Sequence, residues 1–311
     1  MNLLDIIIIG GGVSGASSAM YAARFNMKTL VFAEQPGGLI TTTHLVENYP
    51  GIKSISGPQM GMDFLQHAQD TGAEFKYEKV TDVKKAEVEL NGKKVPAFNV
   101  VSSSGTYTAL TLVIATGTKH KHLHIEGEEK YKNKGVSYCA LCDAAFFKDK
   151  DVLVVGGGDT AAIDANILSK QCKTVKVLVR KDYMKAEPTN VDRLNNDPKV
   201  EIVFETEVQE ILGDEENMTG VLLKNGEEMK ADGLFVAIGW NTQSELAQKL
   251  GVELNARNEV IINREAMTNV TGVFAAGDVT DAKFKQAIVG AAEGVYASVE
   301  AFNYLEELKN S

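Results

Sequence analysis

The sequence predicts an α/β protein in which one parallel-sheet unit is built twice, the second copy set inside the first. Three observations support this. A glycine-rich turn between two β-branched runs lies near the N-terminus and returns, without gaps, at a constant offset of 146 residues. Three further apolar runs, Val113–Gly117, Phe235–Gly239 and Phe274–Asp278, each end in a glycine turn. The chain has 311 residues, about twice the usual length of one domain. Apolar residues make up 44% and charged residues 24%, ordinary values for a globular protein that exclude disordered, collagen-like and coiled-coil classes.

The first copy, residues 5–34, runs from Asp5 through Gly10, Gly12 and Gly15 to Glu34. The second, residues 151–180, runs from Asp151 through Gly156, Gly158 and Ala161 to Arg180. Each reads as strand, turn, helix, strand. The first glycine of such a turn makes the bend and the second lets the backbone approach a pyrophosphate. The third, or an alanine, lets the helix pack closely on the strand. The phosphates then lie at the helix N-terminus, where unpaired N–H groups and the dipole favour an anion. A single copy can be a plain strand–helix turn that binds nothing; two aligned copies favour two dinucleotide sites, hence two Rossmann-like domains.

The copies differ at the end of the second strand. Glu34 is an acceptor suited to ribose hydroxyls, so the first unit is expected to bind a flavin dinucleotide. Arg180 and Lys181, with Lys185 four residues on, suit a 2′-phosphate, so the second is expected to bind NADPH. The alternative for that cluster is a solvated basic turn.

Between the copies, short alternating runs over 86–114, separated by Asn91-Gly92 and Ser104-Gly105, predict a β-meander. The expected organisation is a flavin domain formed by 1–118 and 245–311, with a nicotinamide domain inserted at 119–244, each carrying a meander. Residues 284–308 have apolar residues at helical spacing and would return to the first domain.

Cys139 and Cys142 form a Cys-x-x-Cys pair, which can be redox-active, half of a zinc site or an inert structural pair. A mixed zinc site would borrow from His120, His122 and His124, which would alternate along an extended stretch. The redox reading is favoured because a dithiol gives flavin and nicotinamide electrons a destination. Asp143 follows the pair directly and can shuttle a proton to a thiolate, or else cap a turn. The third cysteine, Cys172, is expected in mid-helix as a packing residue. The net charge of −10 argues against nucleic-acid or anionic-membrane binding. The longest apolar runs, such as Leu234–Ile238, are far too short to span a bilayer. Asp5 interrupts the first apolar stretch with no cationic segment before it, and cysteines are few; a cytoplasmic protein is expected.

The run Cys139-Ala140-Leu141-Cys142-Asp143, lying just before a second glycine motif, resembles the low-molecular-weight thioredoxin reductases among the FAD-dependent pyridine nucleotide-disulfide oxidoreductases. Other segments resemble the family's flavin-contacting motifs: Gly37-Gly38, Thr41 to Thr43, Val46 to Gly51, Ala115-Thr116-Gly117, Gly277-Asp278 and Gln286-Ala287-Ile288. The resemblance implies bound FAD, a homodimer, a large rotation between domains during turnover, and a thioredoxin or glutaredoxin-like partner. It implies that Cys142 lies nearest the flavin, Cys139 exchanges with the partner and Asp143 is the acid–base group. Asp278 would accept from the ribityl chain and Asn48 would lie near the isoalloxazine. Four departures stand out. Val179, Arg180, Lys181 and Lys185 replace a His-Arg-Arg-x-x-x-Arg signature, Leu39 replaces Gln, Lys285 replaces Arg, and 239–242 is short. The first of these leaves a second expectation, the same dithiol chemistry fed by NADH, ferredoxin or a deazaflavin. Further alternatives are a ferredoxin–NADP-type reductase and a flavin- or metal-holding redox sensor.

Overall fold

The structure, a computed structural model, describes residues 3–43 and 46–310. The chain divides into two compact units, one of residues up to Lys119 and from Thr242, the other His120–Asn241. The division thus falls at 119/120 and 241/242, one and three residues from the boundaries expected at 118/119 and 244/245. Thr242 to Ser244 stay with the first unit because Gln243 N–H donates to the Gly117 carbonyl (3.0 Å) and Ser244 Oγ to that of Asn258 (2.6 Å).

The first unit opens with β1 (Leu4–Ile9), α1 (Val13–Arg24), β2 (Thr29–Phe32), α2 (Gly57–Asp70) and β3 (Glu74–Lys76). Ser56 caps α2 by accepting from Gln59 N–H, and Pro58 occupies its first turn, where a missing N–H costs nothing. The meander follows as β4 (Val80–Leu90), β5 (Lys93–Ser102) and β6 (Gly105–Ile114), beginning some residues earlier than the sequence pattern suggests. The first half of β6 pairs antiparallel with β5 and its second half runs parallel to β1, so one strand serves both layers.

The chain leaves through β7 (Thr118–His120) and builds the second unit. There it forms β8 (Val136–Ser137), the helical turn α3 (Ala140–Asp143), β9 (Asp151–Val155), α4 (Asp159–Leu168), β10 (Thr174–Leu178), α5 (Pro188–Asn195) and β11 (Val200–Val203). The meander β12 (Val208–Gly213), β13 (Met218–Leu223), β14 (Glu228–Lys230) and the strand β15 (Gly233–Val236) complete it. Its parallel sheet has the order β11-β10-β9-β15-β8. The chain returns through β16 (Trp240–Thr242) and ends in α6 (Glu245–Lys249), β17 (Val273–Ala275) and α7 (Ala287–Asn310). In the first unit the parallel order is β3-β2-β1-β6-β17.

Both parallel sheets are buried on two faces, which is why their strands read as unbroken apolar runs. In β1, Ile6 and Ile8 pack toward α1 and α7, while Ile7 and Ile9 join the opposite core with Phe98 and Val100 of the meander. In the second unit, Val152, Val154 and Phe235 face the layer of α3 and α4, and Leu153, Leu234 and Val236 face the meander. Cys172 is not in mid-helix: α4 ends at Leu168, and Cys172 lies in the following turn, its N–H on the Leu168 carbonyl (2.8 Å). Its side chain is wholly buried, and burial pushes the thiol up to about 11.

Candidate active site

The strands β1, β6 and β17 are parallel neighbours, so their carboxyl ends deliver three glycine turns to one edge of the first sheet. Gly10 has φ +124°, and a Cβ there would overlap the carbonyl of Ala115 at the end of β6. A Cβ at Gly15 would overlap the Gly10 carbonyl, so only glycine lets α1 start this close to the strand. Gly12 caps α1 with no side-chain acceptor, which leaves the first-turn N–H groups for an anion. Gly12 also bridges to Gly37, and a Cβ on Gly38 would come within 2.6 Å of Gly12 Cα. The Gly37-Gly38 loop therefore lies directly against the turn.

Other sequence-selected residues gather at this edge. Asn48 Nδ2 donates to Gln286 Oε1 (3.0 Å), which joins the loop after residue 46 to the start of α7 at Ala287. Thr116 Oγ1 donates to the Gln243 carbonyl, and Gly117 has φ +66°. Thr43 accepts at its carbonyl from Gly57 N–H (3.0 Å). Gly277 N–H donates to Glu293 Oε2 of α7 (2.7 Å), and Lys285 Nζ donates to the carbonyls of Asp278 (2.8 Å) and Thr280 (2.7 Å) while pairing with Glu259 (3.0 Å). Burial raises the carboxyls of both Asp278 and Glu293, opposed at Asp278 by Lys285. Glu34 lies two residues past β2, the parallel neighbour of β1, and is exposed, facing Lys79 at 3.5 Å. Thr118 Oγ1, one residue past Gly117, is buried without a partner among the described residues. A buried orphan hydroxyl beside a glycine cradle fits a polar ligand such as a flavin dinucleotide.

The second unit repeats the turn. Gly156 has φ +152°, its Cβ would overlap the Ala237 carbonyl at the end of β15, and Gly158 caps α4 without a side-chain acceptor. A Cβ at Gly158 would meet nothing within 4 Å. Ala161 is wholly buried in the helix layer. Lys185 N–H donates to the Gly157 carbonyl, which ties the loop after β10 to the turn at that residue; Arg180, Lys181 and Lys185 on this loop are all exposed. Lys181 Nζ donates to Tyr183 Oη (3.0 Å) above that ring. Asp159, first in α4, accepts from Glu187 N–H (2.7 Å) and Asn190 Nδ2 (3.2 Å).

Cys139 and Cys142 are joined in a disulfide, both partly exposed, across the turn α3. Asp143 closes that turn with its N–H on the Cys139 carbonyl (3.1 Å). Its Oδ2 accepts from Ser137 Oγ (2.7 Å), and Ser137 Oγ accepts from Cys139 N–H (3.1 Å). Tyr138 Oη donates to the buried Glu128 (2.8 Å) and lies 2.9 Å from His122 Nδ1. Burial and the Glu128 carboxylate hold the Tyr138 phenol well above its ordinary range, and burial drives His120, packed on Trp240, down to about 4. The histidines do not run along one extended strand: β7 ends at His120, and His124 has φ +57°. Among the described residues no group of three His, Cys, Asp or Glu could hold a metal ion.

Ser137, Glu128 and Glu293 were not selected from sequence. Serine and glutamate carry no pattern of their own; their partners lie on other elements, and only the strand-facing of Ser137, one residue before the Tyr-Cys step, offered a signal.

The pyridine nucleotide-disulphide oxidoreductase family model matches residues 4–294. The thioredoxin reductase of Listeria monocytogenes is 36% identical over 315 residues, 99% of this chain and 96% of that one. A glucosaminate ammonia-lyase of Pseudomonas fluorescens is 35% identical, covering 98% and 97%, so identity at this level is shared by proteins of different named activity. The crystal structure of thioredoxin reductase from Streptococcus pyogenes superposes with a TM-score of 0.84 at 33% identity, covering 98% of this chain and 99% of that one. Among the described residues no helix is long and apolar enough to cross a membrane.

Proposed function

The chain belongs to the pyridine nucleotide-disulphide oxidoreductase family, among its thioredoxin reductases, and from that premise we propose that it passes electrons from NADPH through FAD and the Cys139–Cys142 disulfide to a thioredoxin or glutaredoxin-like protein. The single observation that supports this reading best is the disulfide itself, formed across one helical turn with Asp143 beside it.

FAD, when bound, supplies a two-electron relay between a hydride donor and a disulfide. The chain's own residues do the rest. Gly10, Gly12 and Gly15 would hold its pyrophosphate at the start of α1, Asp278 would accept from its ribityl chain, and Asn48, bonded to Gln286, would lie near its ring. Gly156 and Gly158 would take the pyrophosphate of NADPH, and Arg180, Lys181 and Lys185 its 2′-phosphate. Cys142 would be the cysteine that takes electrons from the flavin, as in the reductases the chain resembles. Once the pair is a dithiol, the Cys139 thiolate attacks the partner's disulfide and forms a mixed disulfide. Cys142 then attacks Cys139, restoring the internal disulfide and releasing the partner reduced. Asp143 holds the proton that the dithiol gains and gives up. The overall balance is NADPH, one proton and a partner disulfide in, NADP⁺ and a partner dithiol out.

The protein acts as a cytoplasmic homodimer on this reading. A second donor, whether NADH, ferredoxin or a deazaflavin, is favoured only by the replacement of two signature arginines with Lys181 and Lys185 and by the hold of Tyr183 on Lys181. Cys139→Ser tests the main reading. Thioredoxin reduction should fall by at least about a thousandfold with the flavin still bound; unchanged turnover would contradict it.

A further inference from the structure

The two residues of β8 face opposite layers. Val136 is buried toward the meander, and Tyr138, two residues on, packs on the same side. Ser137 pairs in register with Phe235, whose ring is buried against the α3 and α4 layer. Alternation therefore aims Ser137, only 4% exposed, into an apolar layer where valine or isoleucine would be the ordinary choice. Its hydroxyl donates to Asp143 Oδ2 (2.7 Å) and accepts from Cys139 N–H (3.1 Å), so one buried side chain ties the acid to the first cysteine. We infer that Ser137 is a positioning residue for the dithiol, holding the Asp143 carboxylate against the turn that carries Cys139 and Cys142.

The inference rests on the proposed acid–base role of Asp143. The physical reason is direct: a donor fixed in a buried strand favours the ionised carboxylate and fixes its direction, so the proton is released at lower pH and always from the same place. The other titratable groups on the elements packed around α3 are the two cysteines and, on α4, Asp159 and Asp164. Asp159 is already engaged by Glu187 and Asn190. Lys148 and Lys150 follow the short 3-10 turn after α3, Lys150 over the Phe147 ring. Tyr138 reaches away from this layer to Glu128 and His122.

Ser137→Val and Ser137→Thr form the test pair, because both are β-branched residues suited to a buried strand and they differ in the hydroxyl alone. In the holoenzyme, the alkaline limb of kcat for thioredoxin reduction should move up by about one pH unit in Ser137→Val, since the carboxyl keeps its proton longer. Ser137→Thr should keep the wild-type limb, and KM for thioredoxin should be unchanged in both. Asp143→Asn should remove the limb, and adding Ser137→Val to it should change nothing more. A Ser137→Val profile that superposes on wild type while Asp143→Asn loses the limb would overturn the inference alone. If Asp143→Asn keeps the limb, the acid–base reading falls first and the inference with it.

Discussion

Gly10 and Gly156 make the same bend in the two units, each with positive φ and each with a strand carbonyl, of Ala115 or Ala237, where a side chain would begin. What lies over the two turns differs. Gly12 bridges to Gly37, and Gly38 packs against it, while Gly158 has open space in front of it. A turn covered by its own chain suits a dinucleotide that stays through many turnovers; an open one suits a dinucleotide that must enter and leave each time. The helices after the turns differ too. Ser18 of α1 is sealed against α7 by Ser298 (2.7 Å), and a Cβ at Gly294 of α7 would overlap the Ser14 carbonyl. At the matching position, 146 residues on, α4 carries Asp164, whose carboxyl burial pushes up to about 7. The same motif thus serves as a closed socket in one unit and a looser one in the other.

The largest effect should come from treating the two turns alike. Gly10→Ala forces a strained φ and a backbone overlap, which costs about 3 kcal/mol or more, and the purified protein should lose most of its flavin. Gly158→Ala meets no atom of the chain, so flavin content and melting temperature should hold while KM for NADPH rises about tenfold, as the new methyl meets the pyrophosphate. Equal flavin loss in both variants would break the comparison.

Arg180→Ala and Lys181→Ala sharpen it next. Each removes a charge from the loop tied to the open turn, and KM for NADPH should rise by about tenfold, the equivalent of ~1.4 kcal/mol, with NADH kinetics unchanged. A parallel change with both nucleotides would mean that neither side chain meets the 2′-phosphate.

The smallest effect concerns Asp164. Its carboxyl lies raised in the folded chain, so the folded state keeps a proton that the unfolded state releases from about pH 4 upward. Stability should therefore fall as pH rises from about 4 to about 7 and level off beyond. Asp164→Asn should lack that fall, its melting curve gaining a few degrees on wild type across the window. Parallel curves would contradict the burial of this acid.

The 146-residue repeat made both glycine turns readable, because each glycine there is required by a backbone atom it would otherwise strike. The cysteine pair and Asp143 were readable for a similar reason, being local in sequence. Residues whose roles depend on another element were not. Ser137 matters through the facing of a two-residue strand, and Glu293 through a bond to Gly277 across 16 residues. Sequence placed Cys172 in mid-helix because nothing in Ser169-Lys170-Gln171 marks the end of α4 as a glycine would.

One anaerobic titration tests the central claim most directly. The purified holoenzyme, desalted to remove loose nucleotide, would be mixed with NADPH or with NADH while the visible band of the flavin and the free thiols are followed together. A closed first site, an open second site with a 2′-phosphate border and a redox-active pair predict that flavin survives desalting. They also predict that NADPH bleaches it at least about tenfold faster than NADH, with two thiols appearing per chain at Cys139 and Cys142. Flavin that bleaches with dithionite but with neither nucleotide would contradict the account of the second site, and reduction without new thiols would contradict that of the pair.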